Sequence, residues 1–287
     1  MKSLPFVTAL HLFVCTLLLP PAGVAAADET NDEFLRYSAL FEYDRDLPLS
    51  AFSFGTWTRT PYILEKVEYL SIRQEMVPAY FAYPKDMDGP APAILLVHGN
   101  NRFMGKHEPW SLEWIEILTG EGYAVLAPDL YGYGERMTRR DREPKGPHAL
   151  RDDRIQTVVD LRRGIDFLLT RPEVDPNRVA LMGGSLGGYL GVLTTSVEDR
   201  LAAAVFTVTS GNAMTDIFAP HISISVLMVN ATADGKDAGE RLFNSLAGPK
   251  EIVWYESDHY LPPHTSNEEV RDFLSRRFSA TPSRNHR

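Results

Sequence analysis

From residue 67 to residue 278 the chain alternates short apolar runs with longer segments whose apolar positions recur at helical spacing. Val67–Ile72 and Pro78–Tyr83 predict an antiparallel pair, followed by an Asp86–Pro92 turn rich in Gly and Pro. Ala93–His98 is apolar up to its last residue, the pattern of a central strand covered on both faces. Further strands are predicted at Ala124–Pro128, Arg178–Met182, Ala203–Val208, Ser225–Asn230 and Glu251–Tyr255. Helices are predicted at Trp110–Glu121, Arg151–Leu169, Leu186–Val197, Lys236–Leu246 and Asn267–Phe278. The last of these carries acids in its first turn and Arg276 and Arg277 in its last, matching the helix dipole. Such alternation implies an α/β fold: a mostly parallel sheet of about eight strands with helices on both faces.

The two ends read differently. Lys2, an apolar run from Leu4 to Leu19, and small residues up to Ala27 have the order of a secretory signal peptide over 1–27. The run is too short for a membrane anchor, so no stable membrane insertion is expected after cleavage, and the protein is expected to be secreted or periplasmic. Residues 28–66 mix acids and aromatics. They read as a short helix and an extended arm packed on a catalytic domain spanning 67–287. Ser279–Arg287 is polar.

Composition narrows the chemistry. A net charge of −9 argues against a nucleic-acid partner. The only cysteine, Cys15, lies in the predicted signal, which excludes a disulfide framework and Cys-rich metal or iron–sulfur sites. No metal or organic cofactor is expected.

The strongest chemical signal is Gly183-Gly184-Ser185-Leu186-Gly187-Gly188, between a predicted strand and a predicted helix. Glycines on both sides of the serine permit a sharp turn that lifts Ser185 clear of the sheet. The Leu186 N–H, at the helix start, then points to where an oxyanion would form. This run resembles the nucleophile elbow of the α/β-hydrolases.

That resemblance implies a serine nucleophile served by an acid and a histidine in the chain order Ser…Asp…His. His107 and His148 precede the elbow, His221 comes just before a strand, and His286 lies in the tail. His259 follows the last strand and is preferred over His264, which stands beyond Pro262-Pro263. For the acid, Asp234 follows the second-last strand and precedes Gly235. Asp237 and Asp216 are the rivals, while Asp258 is too close to His259 to reach its ring. The second oxyanion donor is expected from the loop after Ala93–His98, at the Asn100 N–H, with His98 a structural residue. Asn101 and Arg102 are candidate pocket residues.

Pro92–Gly99, Pro128-Asp129-Leu130-Tyr131-Gly132-Tyr133-Gly134 and Val174–Val179 stand in order before the elbow. Together they resemble the branch around dienelactone hydrolases, acetyl xylan esterases and prolyl-oligopeptidase-like peptidases. Dienelactone hydrolases proper carry cysteine where this chain has Ser185. The resemblance therefore implies ester hydrolysis through an acyl-enzyme, on a small-molecule substrate. A peptidase or amidase and a non-catalytic binding protein of the same fold are the alternatives. About sixteen residues separate two late strands where many lipases insert a lid, so no large lid is expected. The loop Tyr131–Asp153 carries Arg136, Arg139, Arg140, Arg142 and Lys145. It reads as a solvated charged loop, with a cationic rim for carboxylate substrates as the sharper alternative.

Overall fold

The computed structural model describes residues 31–278; the predicted signal peptide and the polar tail lie outside the described residues. A helix over residues 31–38 (α1) leads into β1 (Phe52–Thr58), β2 (Tyr62–Leu70), β3 (Met76–Pro84) and β4 (Ala91–Val97). Then come α2 (Pro109–Gly120), β5 (Ala124–Pro128), α3 (Pro147–Thr170), β6 (Val174–Gly184), α4 (Leu186–Ser196) and β7 (Ala203–Thr207). The chain closes with α5 (Ala213–Phe218), β8 (Ser225–Ala231), α6 (Lys236–Ser245), β9 (Lys250–Tyr255) and α7 (Pro263–Phe278). Among the described residues the strands form one sheet in the order β1-β2-β3-β5-β4-β6-β7-β8-β9. The pairings β1–β2, β2–β3 and β3–β5 are antiparallel, and all pairings from β5–β4 to β8–β9 are parallel.

The sheet separates two cores because successive strand residues face opposite ways. On β4, Leu95 and Val97 join Leu161 and Ile165 of α3 and Leu190 of α4. Ile94 and Leu96 instead join Trp114 and Leu118 of α2 and Phe273 of α7. Each of these large side chains contributes about 1.5–3 kcal/mol through burial. β4 is covered on both faces, as its unbroken apolar run predicts.

The sheet has nine strands rather than about eight, and the difference arises in the arm. β1 escapes sequence reading because a bulge between Ser53 and Gly55 shifts its alternation by one. β2 begins at Tyr62, five residues before the predicted start. Two buried arginines of α3 tie the arm down: Arg162 donates to Phe41 O and Arg163 to Leu47 O, each at 2.8 Å. α3 itself begins at Pro147, within the charged excursion, since proline suits a first helical position. Lys145 pairs with Asp141 and Asp153, and Arg136 pairs with Asp160 at 2.6 Å. Between β7 and β8 stand only the short α5 and one 3₁₀ turn, with no large lid. No helix among the described residues is long and apolar enough to cross a membrane.

Candidate active site

The parallel strands all end on one edge, so the loops leaving β4, β6, β7, β8 and β9 converge there. At the end of β6, Ser185 adopts φ 54° and ψ −114°, a conformation that costs a non-glycine residue about 1–3 kcal/mol. The neighbouring glycines are required by crowding. A Cβ on Gly183 would lie 2.3 Å from Gly187 O, and one on Gly188 would lie 1.8 Å from Thr209 Oγ1. The Ser185 N–H donates to Thr207 O at 2.9 Å, which anchors the strained residue to β7. Leu186 opens α4, so its N–H has no carbonyl one turn earlier within the helix.

Asp234 and His259 meet although 25 residues separate them: His259 Nδ1 lies 2.6 Å from Asp234 Oδ2. Two backbone bonds bring their loops together. Thr232 N–H donates to Tyr255 O at 2.9 Å and Ala233 N–H to Ser257 O at 3.2 Å. Gly235, at φ 79°, turns the chain from Asp234 into α6. The rival acids are engaged elsewhere. Asp216 pairs with Arg241, Asp237 stands in the first turn of α6, and Asp258 accepts the N–H of Tyr260. His264 lies in the first turn of α7, which starts at Pro263 rather than at Asn267. His107 is bonded to Tyr80, and His221 stacks on Phe34 of α1 with ring centroids 3.5 Å apart.

A cavity of about 900 Å³ opens over Ser185, and His259 and Asn100 share its wall. Trp110, Trp114, Phe103, Tyr260 and Leu261 make much of it apolar, while Glu108, Glu113, Asn101 and Arg102 add polar groups. Val208, at φ 45°, is a second strained residue on this wall. Among the described residues, no group of three or more His, Cys, Asp or Glu side chains is arranged to hold a metal ion.

His98, fully buried at the end of β4, shapes the loop that follows. The Leu130 N–H donates to its Nε2 at 3.1 Å, so Nδ1 carries the proton and donates to Gly99 O at 2.8 Å. Burial pushes its pKa down to about 4, which keeps the ring neutral near pH 7. Asn100 follows, its side-chain oxygen accepting from the Tyr133 hydroxyl at 2.8 Å. The loop's far end is pinned by the fully buried Lys106, whose N–H and Nζ both donate to Asp129, at 2.8 and 2.6 Å.

Sequence reading passed over Glu108, Trp110, Thr207 and Val208. Glu108 precedes Pro109 and carries only the local signal of a helix start, and a strained valine carries none.

The model of the dienelactone hydrolase family matches residues 77–247. Among curated proteins, YtaP of Bacillus subtilis (strain 168), which bears the name of a hydrolase, is 30% identical over 145 residues, covering 46% of this chain and 48% of YtaP. Acyl-coenzyme A thioesterase 1 of Mus musculus is 26% identical over 199 residues, covering 67% of this chain and 43% of the thioesterase. The chain thus spans about half the length of these curated relatives, or less. Among solved structures, the acetyl xylan esterase from Paenibacillus sp. R4 superposes with a TM-score of 0.70 at 19% identity, covering 87% of this chain and 94% of that one. At that identity the likeness is one of fold.

Proposed function

The chain belongs to the dienelactone hydrolase family, and from that premise we propose that it is an exported serine hydrolase cleaving carboxylic esters. In this reading Ser185 attacks the ester carbonyl and His259 takes the serine proton. Asp234 holds the ring by its Nδ1–H and stabilises the imidazolium. The N–H groups of Leu186 and Asn100 receive the oxyanion of the tetrahedral intermediate. His259 then protonates the leaving alcohol, and water hydrolyses the acyl-enzyme with His259 again as base.

The observation that carries the reading is one arrangement. A serine held at φ 54° shares a cavity wall with a histidine whose Nδ1 lies 2.6 Å from a carboxylate. Serine in place of cysteine supports ordinary ester cleavage over thiol chemistry. Export rests on the order of residues in 1–27.

The test is turnover of p-nitrophenyl acetate, butyrate and octanoate, beside Ser185→Ala and His259→Ala, with peptide anilides as the amide comparison. The expected result is ester cleavage that both substitutions reduce by about 10³-fold or more. Equal rates in all three proteins would overturn the assignment, and a preference for anilides would move it to amide hydrolysis. Export is tested separately, by N-terminal sequencing of the protein recovered outside the cytoplasm. Protein there starting at Asp28 is expected, and protein found in the cytoplasm alone would overturn export.

A further inference from the structure

A buried carboxylate stands in the cavity wall without a part in the chemistry above. Glu108 is 8% exposed, and its Oε1 accepts the Gly99 N–H at 2.8 Å. It occupies the N-cap of α2, yet its side chain makes no bond to the N–H groups of that helix. The carboxylate instead faces back across the loop to the residue just before Asn100. Burial pushes its carboxyl pKa up, opposed by the Gly99 N–H.

We propose that Glu108 is the positioning residue of the oxyanion hole, holding Gly99 so that the Asn100 N–H faces the attacked carbonyl. The proposal rests on the ester-hydrolase reading for the identity of the donor. Its geometry runs through two successive peptides. A trans peptide sends its C=O and the following N–H in opposite directions. His98 Nδ1–H holds Gly99 O at 2.8 Å, so the Asn100 N–H of the same peptide points away from His98. Glu108 holds the N–H of the preceding peptide. Together they clamp both sides of Gly99, a residue whose φ and ψ no Cβ restrains. Glu108 Oε1 stays close to Gly99 on its Cβ side as well, since a Cβ there would stand in ordinary contact with it at 3.6 Å. Tyr133 steadies the Asn100 side chain but not its peptide. With Glu108 gone, the His98 bond alone restrains the Gly99–Asn100 peptide, and the Asn100 N–H can drift out of line.

What the clamp requires of residue 108 is an acceptor, not a charge. Glutamine can still accept the Gly99 N–H, and alanine cannot. The experiment therefore compares Glu108→Ala and Glu108→Gln with the unsubstituted full chain by three readouts. These are kcat and KM on p-nitrophenyl acetate, inhibition by an aryl trifluoromethyl ketone whose adduct places an oxyanion in the hole, and the rate of fluorophosphonate labelling at Ser185. Rates are expressed per labelled serine, so unfolded protein does not contribute.

Removing an oxyanion donor outright costs about 10²–10³ in kcat, and misaligning one should cost about 10- to 100-fold. The expected result for Glu108→Ala is that loss in kcat with KM within about threefold, matched by equal losses in ketone affinity and labelling rate. Glu108→Gln is expected within about threefold of the unsubstituted chain on all three. The proposal is overturned if Glu108→Ala keeps its labelling rate, if Glu108→Gln loses as much as alanine, or if KM alone rises. Failure of the ester-hydrolase reading looks different: the unsubstituted chain would then leave Ser185 unlabelled, and the clamp would lose its purpose with it.

Discussion

Gly187 stands where α4 rests on the end of β4, and an added methyl group there has nowhere to go. Its Cβ would lie 2.1 Å from Val97 O and 2.6 Å from His98 O. Ordinary contact begins near 3.4 Å, so helix and strand must separate by about 1 Å. Strand β4 cannot yield easily, because Val97 is in register with Gly183 of β6 on one side. Overpacking of this kind costs about 1–3 kcal/mol, and in a domain of this size each kcal/mol lowers Tm by about 2–4 °C. The larger effect is expected on rate. The displacement separates the Leu186 N–H, carried by α4, from the Asn100 N–H, carried by the loop after β4. A shift of about 1 Å in such an arrangement costs about 10²-fold. The assay is kcat/KM on p-nitrophenyl acetate together with thermal unfolding of Gly187→Ala. Gly120→Ala serves as control, since a Cβ at Gly120 meets nothing within 4 Å. The control should keep both rate and Tm. A Gly187→Ala protein with unchanged kcat/KM, whatever its Tm, would refute the argument that this contact sets the spacing of the two donors.

Two further outcomes follow from the same contacts. Asp234→Asn should lower kcat by about 10⁴-fold while leaving the unfolding midpoint nearly unchanged, because both partners are well exposed, with the side chain of His259 43% and that of Asp234 32% accessible. Burst kinetics of acyl-enzyme formation would check it, and a loss of stability without loss of rate would count against it. His98 predicts a pH dependence of folding. Its pKa is lowered to about 4 in the folded chain against an ordinary 6.5, so between those values the unfolded chain binds the extra proton. Stability should therefore fall as pH drops from about 6.5 to about 4, by on the order of 3 kcal/mol, and gain no further loss from this residue below that. Urea titrations across this range should show a shallower fall in His98→Asn, and identical slopes would contradict the argument.

Much of this chain is legible from local pattern. A strand buried on both faces must be apolar throughout, so β4 announces itself, and a sharp turn beneath a helix must be built of glycine, so Ser185 does too. Chain order then narrows the candidates for acid and base, because the loops of a parallel sheet leave its strands at one edge. Other features are settled only by folding. The bulge in β1 hides a strand whose partner, β2, tolerates the slip. Pro147 starts a helix inside what reads as a charged loop, and the pairing of Lys145 with Asp141 and Asp153 ties that start to the loop before it. The bond between Asp234 and His259 depends on two backbone hydrogen bonds linking the loops after β8 and β9. Glu108 shows the limit most plainly. Its neighbours in sequence mark a helix start, while the group it holds, the Gly99 N–H, comes within reach only when β4 and α2 pack. Periodicity and turn chemistry are written into short stretches of chain, whereas the partner of a buried polar group is chosen by whatever the rest of the fold brings to it.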